Sequence, residues 1–410
     1  MVSDPAGFKL KVRFLVRLGR ALHQCGASSQ RVERHLGNTA RMLGLRGTFL
    51  LSPTTFTCAF WVDDELDQFV HIERLEPADY NLGRLWEIDR LVESMDQGVF
   101  GFEEGVARLD AISTAPPHYS VPANALAWTL TGAAFAAIIS TNPLNVLAAA
   151  LISLLIYFMN RASTGRPAWK PVFPIAAAFV AGLLAAVFRA CGADLQIPLV
   201  ALASIIAFVP GLALAISLTE ISTGHLISGT SRLVDAFMTL LKLLFGVFSG
   251  VAVAGFLRIP APGGMTSWNA LPDWALWPAL GALSLGLGII FDLPWRKMVW
   301  GLFASAIAFG AARFGEIHFG IYAGMFLGAL AVGLYGNLFA RITRGPGSIL
   351  MIHGILLLVP GSKTYSILNH WVSGVDVLPY QSGSQALLAF IALIAGLLFS
   401  NALLPPRKSL

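Results

Sequence analysis

The chain has 410 residues, of which 56% are hydrophobic and only 12% charged, with a formal net charge of +5. Soluble domains carry about 25% charged residues, so a wholly soluble protein is excluded. The charge is also divided: residues 1–120 hold 13 basic and 16 acidic side chains, whereas residues 121–410 hold 15 and 7. The basic excess therefore falls in the loops of a membrane part, where the positive-inside rule accounts for it, and no nucleic-acid partner is implied.

Residues 1–25 interleave Lys9, Lys11, Arg13, Arg17 and Arg20 with apolar residues and contain no apolar run long enough for a signal peptide. The first 120 residues are therefore expected to stay in the cytoplasm. Phe8, Val12, Leu15, Leu18 and Leu22 share one face of a helix that Gly26 ends. Ser28 or Ser29 can cap a second helix running to about Leu43. Strand-like runs follow at Thr48–Leu51, Thr55–Val62 and Gln68–Leu75, with a polar turn at Asp63-Asp64-Glu65. Asn81 can cap a helix carrying Leu82, Leu85, Ile88, Leu91 and Val92, and Phe102–Ile112 is a last short one. The expectation is a small cytoplasmic α+β domain over residues 1–115 and a linker over 116–122.

Three cysteines, Cys25, Cys58 and Cys191, are too few and too scattered for a disulfide framework or a metal site. Asp63, Asp64, Glu65 and Asp67 with His71 nearby read as a solvated turn. His23 and Cys25, two apart on a helix, do not face each other. No metal or cofactor is expected.

Beyond residue 122 the pattern becomes long apolar runs near 123–140, 144–160, 172–190, 197–219, 235–257, 274–291, 297–312, 319–339, 348–367 and 384–403. Each approaches the ~20 residues that cross a bilayer as a helix. Ten crossings that start inside put ten basic residues, among them Arg161, Arg232, Lys297 and Arg341, on the inner side. Arg189, Arg258 and Arg313 fall outside, so both termini are expected in the cytoplasm.

A shift of 150 residues lays the two halves over each other without gaps. Val209-Pro210-Gly211 falls on Val359-Pro360-Gly361, Ala236 on Ala386, Leu243 on Leu393 and Gly246 on Gly396. Five spans per repeat, an odd number, make the repeats (123–260 and 261–410) inverted. The expected fold is thus a membrane all-α bundle of about ten transmembrane helices built as two inverted five-helix repeats behind the α+β domain. Inverted repeats are a common build of secondary transporters, with the substrate site at the repeat interface.

Pro210 and Pro360, each followed by glycine (Gly211 and Gly361), break their spans and free backbone groups for a ligand. Polar residues gather after each break: Ser217, Glu220, Thr223, His225 and Ser228 in the first half, and Ser362, Lys363, Thr364, Tyr365 and Asn369 in the second. Charges within membrane helices usually face a cavity or a partner. A carboxyl withdrawn from water holds its proton more firmly, so Glu220 and Asp235 are the candidates for proton coupling. Lys242, seven residues after Asp235 on the same face, and Lys363 are candidate contacts for a substrate carboxylate. His353 is the other ionisable residue within a span.

The chain resembles the threonine/serine exporter family. The likeness rests on Leu18-Gly19, Gly26-Ala27, Arg31-Val32-Glu33, Asn81-Leu82, Arg84-Leu85, Arg90-Leu91-Val92 and Glu103-Glu104 in the N-terminal part. In the membrane part it rests on Val209-Pro210-Gly211, Ile227 to Gly229, Arg232, Val359-Pro360-Gly361-Ser362 and the tail from Leu404 to Leu410. The resemblance implies proton-driven export of threonine and serine by a cytoplasmic domain fused to ten spans. Some relatives split the halves into two chains and are associated with dicarboxylates, which fits a repeat boundary near residue 260. The expected partners are a small polar substrate, protons and the lipid bilayer of the inner membrane, with a homo-oligomer left open. The alternatives are a dicarboxylate exporter using Lys242 and Lys363, and, in another class, a membrane-tethered enzyme with a catalytic N-terminal domain.

Overall fold

The computed structural model describes residues 5–61, 68–76, 78–257, 269–343, 347–358, 365, 369 and 383–405. Its N-terminal part starts with α1 (Pro5–Gln24) and α2 (Ser29–Met42). It continues with β1 (Arg46–Leu51), β2 (Thr55–Trp61), β3 (Gln68–Arg74), α3 (Leu82–Asp96) and α4 (Phe102–Thr114). The strands pair antiparallel in the order β1-β2-β3. Period-two alternation on β2 buries Phe56, Cys58 and Phe60. Onto that face pack Leu15, Leu18 and Leu22 of α1 and Val32 and Leu36 of α2, on helical spacing. Gly19 lets α1 lie on the sheet, since a Cβ there would come within 2.7 Å of the Phe56 ring.

Burial pushes the Cys25 thiol up to about 12, the opposite of an activated nucleophile. No metal-holding group of His, Cys, Asp and Glu occurs among the described residues; Asp63, Asp64, Glu65 and Asp67 lie outside them.

The membrane part is helical: α5 (Val121–Ile139), α6 (Pro143–Ser163), α7 (Phe173–Ala190), α8 (Ile197–Ser204), α9 (Gly211–Ser222), α10 (Leu226–Phe256), α11 (Leu276–Ile290), α12 (Trp295–Phe319), α13 (Ile321–Thr343), α14 (Gly347–Leu358) and α15 (Gly383–Leu403). Among the described residues seven helices are long and apolar enough to cross a membrane, and the pair α8 and α9, bent by 59°, makes an eighth. The helices α14 and α15 fall on the ninth and tenth apolar runs. Small residues set the closest contacts, as they do between membrane helices generally. A Cβ at Gly250 of α10 would come within 2.1 Å of the Phe179 carbonyl of α7, and one at Gly396 of α15 within 2.4 Å of the Phe326 carbonyl of α13.

The fifth apolar run starts near residue 235, but α10 begins at Leu226. At 1.5 Å per residue its 31 residues reach about 46 Å, well beyond the ~30 Å of hydrocarbon. Its first turns carry Ser228 and Arg232, buried against protein, so apolarity alone could not find them.

Among the described residues, the contacts below between the N-terminal part and the spans fall at one set of helix ends. Lys170, between α6 and α7, pairs with Glu76 at 3.3 Å. Leu82 donates its amide to the Phe291 carbonyl, between α11 and α12, at 2.9 Å. The Trp86 ring packs against Phe339 of α13 and lies 4.3 Å from the Lys297 ammonium. These are the ends that the alternation of basic residues places together.

Candidate functional site

The helix break comes first. After α8 the chain makes a 3₁₀ turn over Ile206–Phe208, and Pro210 then starts α9. Among the described residues the carbonyls of Ala207 and Phe208 accept no backbone hydrogen bond, and the amides of Leu212 and Ala213 donate none. Proline supplies no N–H and its ring clashes with the preceding turn, so the span cannot continue and its backbone groups are left available.

The helix α9 runs 12 residues, a little over three turns, from the break and stops before Gly224, whose φ of +89° suits glycine. The chain reverses into α10, and Gly229 lets the two helices touch: a Cβ there would come within 2.7 Å of the Ser217 carbonyl. The contact brings Ser228 and Arg232 onto Glu220. Glu220 is buried, and its Oε2 accepts from Ser228 Oγ at 3.0 Å and from Arg232 Nε at 3.3 Å. Its Oε1 accepts from the backbone N–H of Ser29, 191 residues away, at 2.7 Å. Ser29 Oγ and Ser228 Oγ lie 2.5 Å apart.

Ser29 opens α2, and the side chain of the preceding N-cap residue, Ser28, makes no capping bond. The carboxylate of Glu220 does that work from another part of the chain. It satisfies a first-turn amide and places negative charge at the positive end of the helix dipole. Beside this knot His225 Nε2 lies 3.3 Å from Glu33 Oε2. Burial raises the Glu33 carboxyl, with His225 opposing.

Two cavities flank the knot. The smaller, about 170 Å³, lies between α9, α14 and α15 and is roofed by residues 26–28, 30 and 31 of the N-terminal part. The larger, about 590 Å³, lies between the N-terminal part and the spans. Its membrane wall holds Trp128 of α5, Tyr157 of α6, and Ala207 and Phe208 of the break. Trp128 sits 5.2 Å from Phe208 and 6.0 Å from Tyr157, centroid to centroid. Its other wall holds Asp79, Tyr80, Asn81 and Arg84. Tyr80 also reaches the knot: burial pushes its phenol up, while the adjacent Arg232 pulls the other way.

The other candidates are dispersed. Ser217 is buried and donates back to the Leu214 carbonyl. Thr223 donates to Thr219 and Glu220 carbonyls at the end of α9. Asp235 is exposed and Lys242 half-buried on α10, and neither forms an ion pair among the described residues. Pro360, Gly361, Ser362, Lys363 and Thr364 lie outside the described residues. His353 of α14 meets Ser284 of α11 at 2.9 Å, and Ser284 meets Ser305 of α12 at 2.9 Å, a separate buried polar cluster.

Sequence reasoning found Glu220 and missed Ser29, Arg232 as its partner, and Asp292. A lone acid in an apolar helix needs a counter-charge, and Arg232 is the nearest base after the turn; that signal was available. The donation from Ser29 was not readable. Asp292, between α11 and α12 with φ 58°, accepts from the His118 amide at 2.9 Å and from Asn81 Nδ2 at 3.1 Å, and lies 3.0 Å from His118 Nδ1.

Two family models match the chain: one described as "Putative threonine/serine exporter" over residues 13–254, and one described as "Threonine/Serine exporter, ThrE" over residues 280–403. An uncharacterized protein of Schizosaccharomyces pombe is 23% identical over 366 residues, covering 85% of this chain and 47% of that protein. Pheromone-regulated membrane protein 10 of Candida albicans is 24% identical over 386 residues, covering 91% of this chain and 34% of its own length. The protein of that name from Saccharomyces cerevisiae is 23% identical over 357 residues, 85% of this chain and 46% of that one. The chain thus spans between a third and a half of these relatives. No solved structure matches it. With the larger model matching more than half of its length, this membrane protein belongs to the threonine/serine exporter family.

Proposed function

We propose that this chain is a secondary-active exporter of threonine and serine, coupled to the proton gradient and seated in the cytoplasmic membrane with both termini inside. Residues 1–115 form its soluble domain, and residues 123–260 and 261–410 its two inverted five-helix repeats. The observation that carries the reading is the broken span. It leaves backbone groups free beside a cavity, and its second half ends in a buried carboxylate with an arginine partner. A half-helix start and an unwound segment at one point are what transporters use to hold a small charged substrate.

The repeat reading is supported by equal offsets. The helix α14 spans 347–358, and α8 with its 3₁₀ turn spans 197–208. Also, α10 packs on α7 as α15 packs on α13, through Gly246 and Gly396.

In this mechanism Glu220 carries the proton. Ionised, it is held by Arg232, Ser228 and Ser29. Protonated, it no longer attracts Arg232, and α9 is released from α10 and from the N-terminal domain. Loss of that clamp changes which side of the membrane the break faces, so proton binding and substrate exposure are linked.

The test is flux in proteoliposomes loaded with labelled threonine, serine or succinate, with and without an imposed pH gradient. Threonine and serine flux should follow the gradient. Glu220→Gln should let flux run down its concentration gradient without responding to pH, and Pro210→Ala should lower it severalfold in a protein that still folds. Succinate flux alone, or an unchanged pH response in Glu220→Gln, overturns the reading.

A further inference from the structure

We infer that the 590 Å³ cavity is the loading site for the substrate, and that the soluble domain supplies its charged half: Arg84 holds the carboxylate of a zwitterion and Asp79 its ammonium group. The inference rests on the exporter reading and assigns the N-terminal domain to the substrate site itself.

The wall that carries these residues is held in place. Asp79 donates its amide to the Gln24 carbonyl at 3.1 Å, Asn81 to Cys25 at 3.3 Å and Leu82 to Phe291 at 2.9 Å. The segment is thereby pinned between the end of α1 and the turn before α12. Asn81 caps α3 through the Arg84 amide at 2.8 Å and holds Asp292 with its Nδ2. Arg84 uses one nitrogen, Nη2, on the Ala115 carbonyl at 2.5 Å. The rest of its guanidinium, and the carboxylate of Asp79, have no hydrogen-bond partner among the described residues although both line the cavity. A guanidinium with an open edge is suited to a carboxylate.

The charge balance selects the ligand class. The cavity presents one open base and one open acid, with a further acid, Asp292, already held by His118 and Asn81. A zwitterion satisfies both open charges. A dicarboxylate satisfies only Arg84 and meets two acids. The cavity is also lined by the aromatic group Trp128, Tyr157 and Phe208, the last of them in the helix break, so a ligand bound here lies next to the segment that must move. Tyr80, between Asp79 and Asn81, lines the cavity and lies beside Arg232. It connects an occupied site to the Glu220 ion pair.

The experiment is ligand binding to the purified full-length protein in nanodiscs, by calorimetry without a gradient, run beside the flux assay. The ligands are L-threonine, L-threoninamide, which lacks the carboxylate, 3-hydroxybutyrate, which lacks the ammonium, and succinate. The wild type should prefer L-threonine to all three. Arg84→Gln should weaken L-threonine by roughly tenfold or more, about 1.4 kcal/mol, and leave L-threoninamide unchanged; Arg84→Lys should recover part of the loss. Asp79→Asn should weaken L-threonine and L-threoninamide alike and leave 3-hydroxybutyrate unchanged. Wild-type L-threonine affinity in both variants overturns the inference, and so does an equal loss of all ligands, which marks a structural role. If these variants also transport threonine normally, only the loading site falls. If the wild type moves no threonine, the exporter reading falls first.

Discussion

At the Glu220 seam the buried pair, Glu220 and Arg232, belongs wholly to the membrane helices; the N-terminal part gives it the amide and hydroxyl of Ser29 and, beside it, sets Glu33 against His225 of the membrane part. At the Asp292 seam the acid sits between α11 and α12 and its partners, His118 and Asn81, come from the linker and the N-terminal part. Both acids are buried, Glu220 2% and Asp292 10% exposed, but their partners differ: Arg232 is 8% exposed and His118 35%. A pair neutralised within the spans survives separation of the two parts. An acid neutralised only across the boundary ties docking to the charge of an imidazole. The first seam can therefore open without baring its buried carboxylate, only the half-buried Glu33 losing a partner, whereas the second is built to hold on. Gly83 serves the second, because a Cβ there would come within 2.4 Å of the Asp292 carbonyl.

The largest effect should come from cutting the first pair. Arg232→Met leaves Glu220 buried without its counter-charge, a loss of about 3–5 kcal/mol for such pairs. Thermal unfolding of the purified protein should show it as a large drop in Tm. Adding Glu220→Gln should restore most of the loss, because a buried pair replaced as a whole costs little. A double variant as unstable as the single would mean that the arginine does other work at this seam.

A smaller effect isolates the amide of Ser29. Ser29 opens α2, where proline is tolerated, and Ser28 before it has φ −66° and ψ 151°, the extended conformation that precedes proline. Ser29→Pro therefore removes the donation to Glu220 without disturbing the helix, and also removes the hydroxyl contact with Ser228. Ser29→Ala removes the hydroxyl alone. The expected losses are roughly 2–3 kcal/mol for the proline and about 1 kcal/mol for the alanine. The difference, read by denaturation of the two variants, is the share of the amide in closing the seam. Equal losses would show that Glu220 does not need the helix end.

Most of the fold was legible. Period-two and helical patterns gave the sheet and the helices around it, and the apolar runs fall on the helices from α5 to α15. The Pro210-Gly211 pair marked the break because proline chemistry is local. The start of α10 was not legible, since Ser228 and Arg232 lower the hydropathy of turns that protein buries. Nor were the seams: Ser29 and Glu220 are 191 residues apart, and Asp292 reads as an ordinary turn residue. Candidate positions set by composition, such as Asp235, turned out exposed. A single sequence shows that a charge is unusual, but its partner depends on packing.

The smallest effect, and the one that separates the seams most cleanly, is the response to pH. Burial lowers the affinity of His118 for its proton, but the hydrogen bond and charge of Asp292, with Glu87 at 3.4 Å, outweigh it and the net shift is upward. A group whose folded value is raised contributes stability fully below its unfolded value, about 6.5 for histidine, and loses that contribution as pH rises through the folded value. Docking at the Asp292 seam should thus be firm below about pH 6.5 and weaken as the pH rises above it. The buried His35 works against this: burial brings it down to about 4, with Asp89 opposing. It costs stability as the pH falls from 6.5 toward 4. The measurement is therefore a difference, Tm of the wild type against Asp292→Asn from pH 5.5 to 8.5, in which the His35 contribution cancels. The gap should be widest at the acid end and narrow as the pH rises above about 6.5. A gap independent of pH would mean that Asp292 holds the seam through the His118 amide and Asn81 alone, and that the imidazole adds nothing.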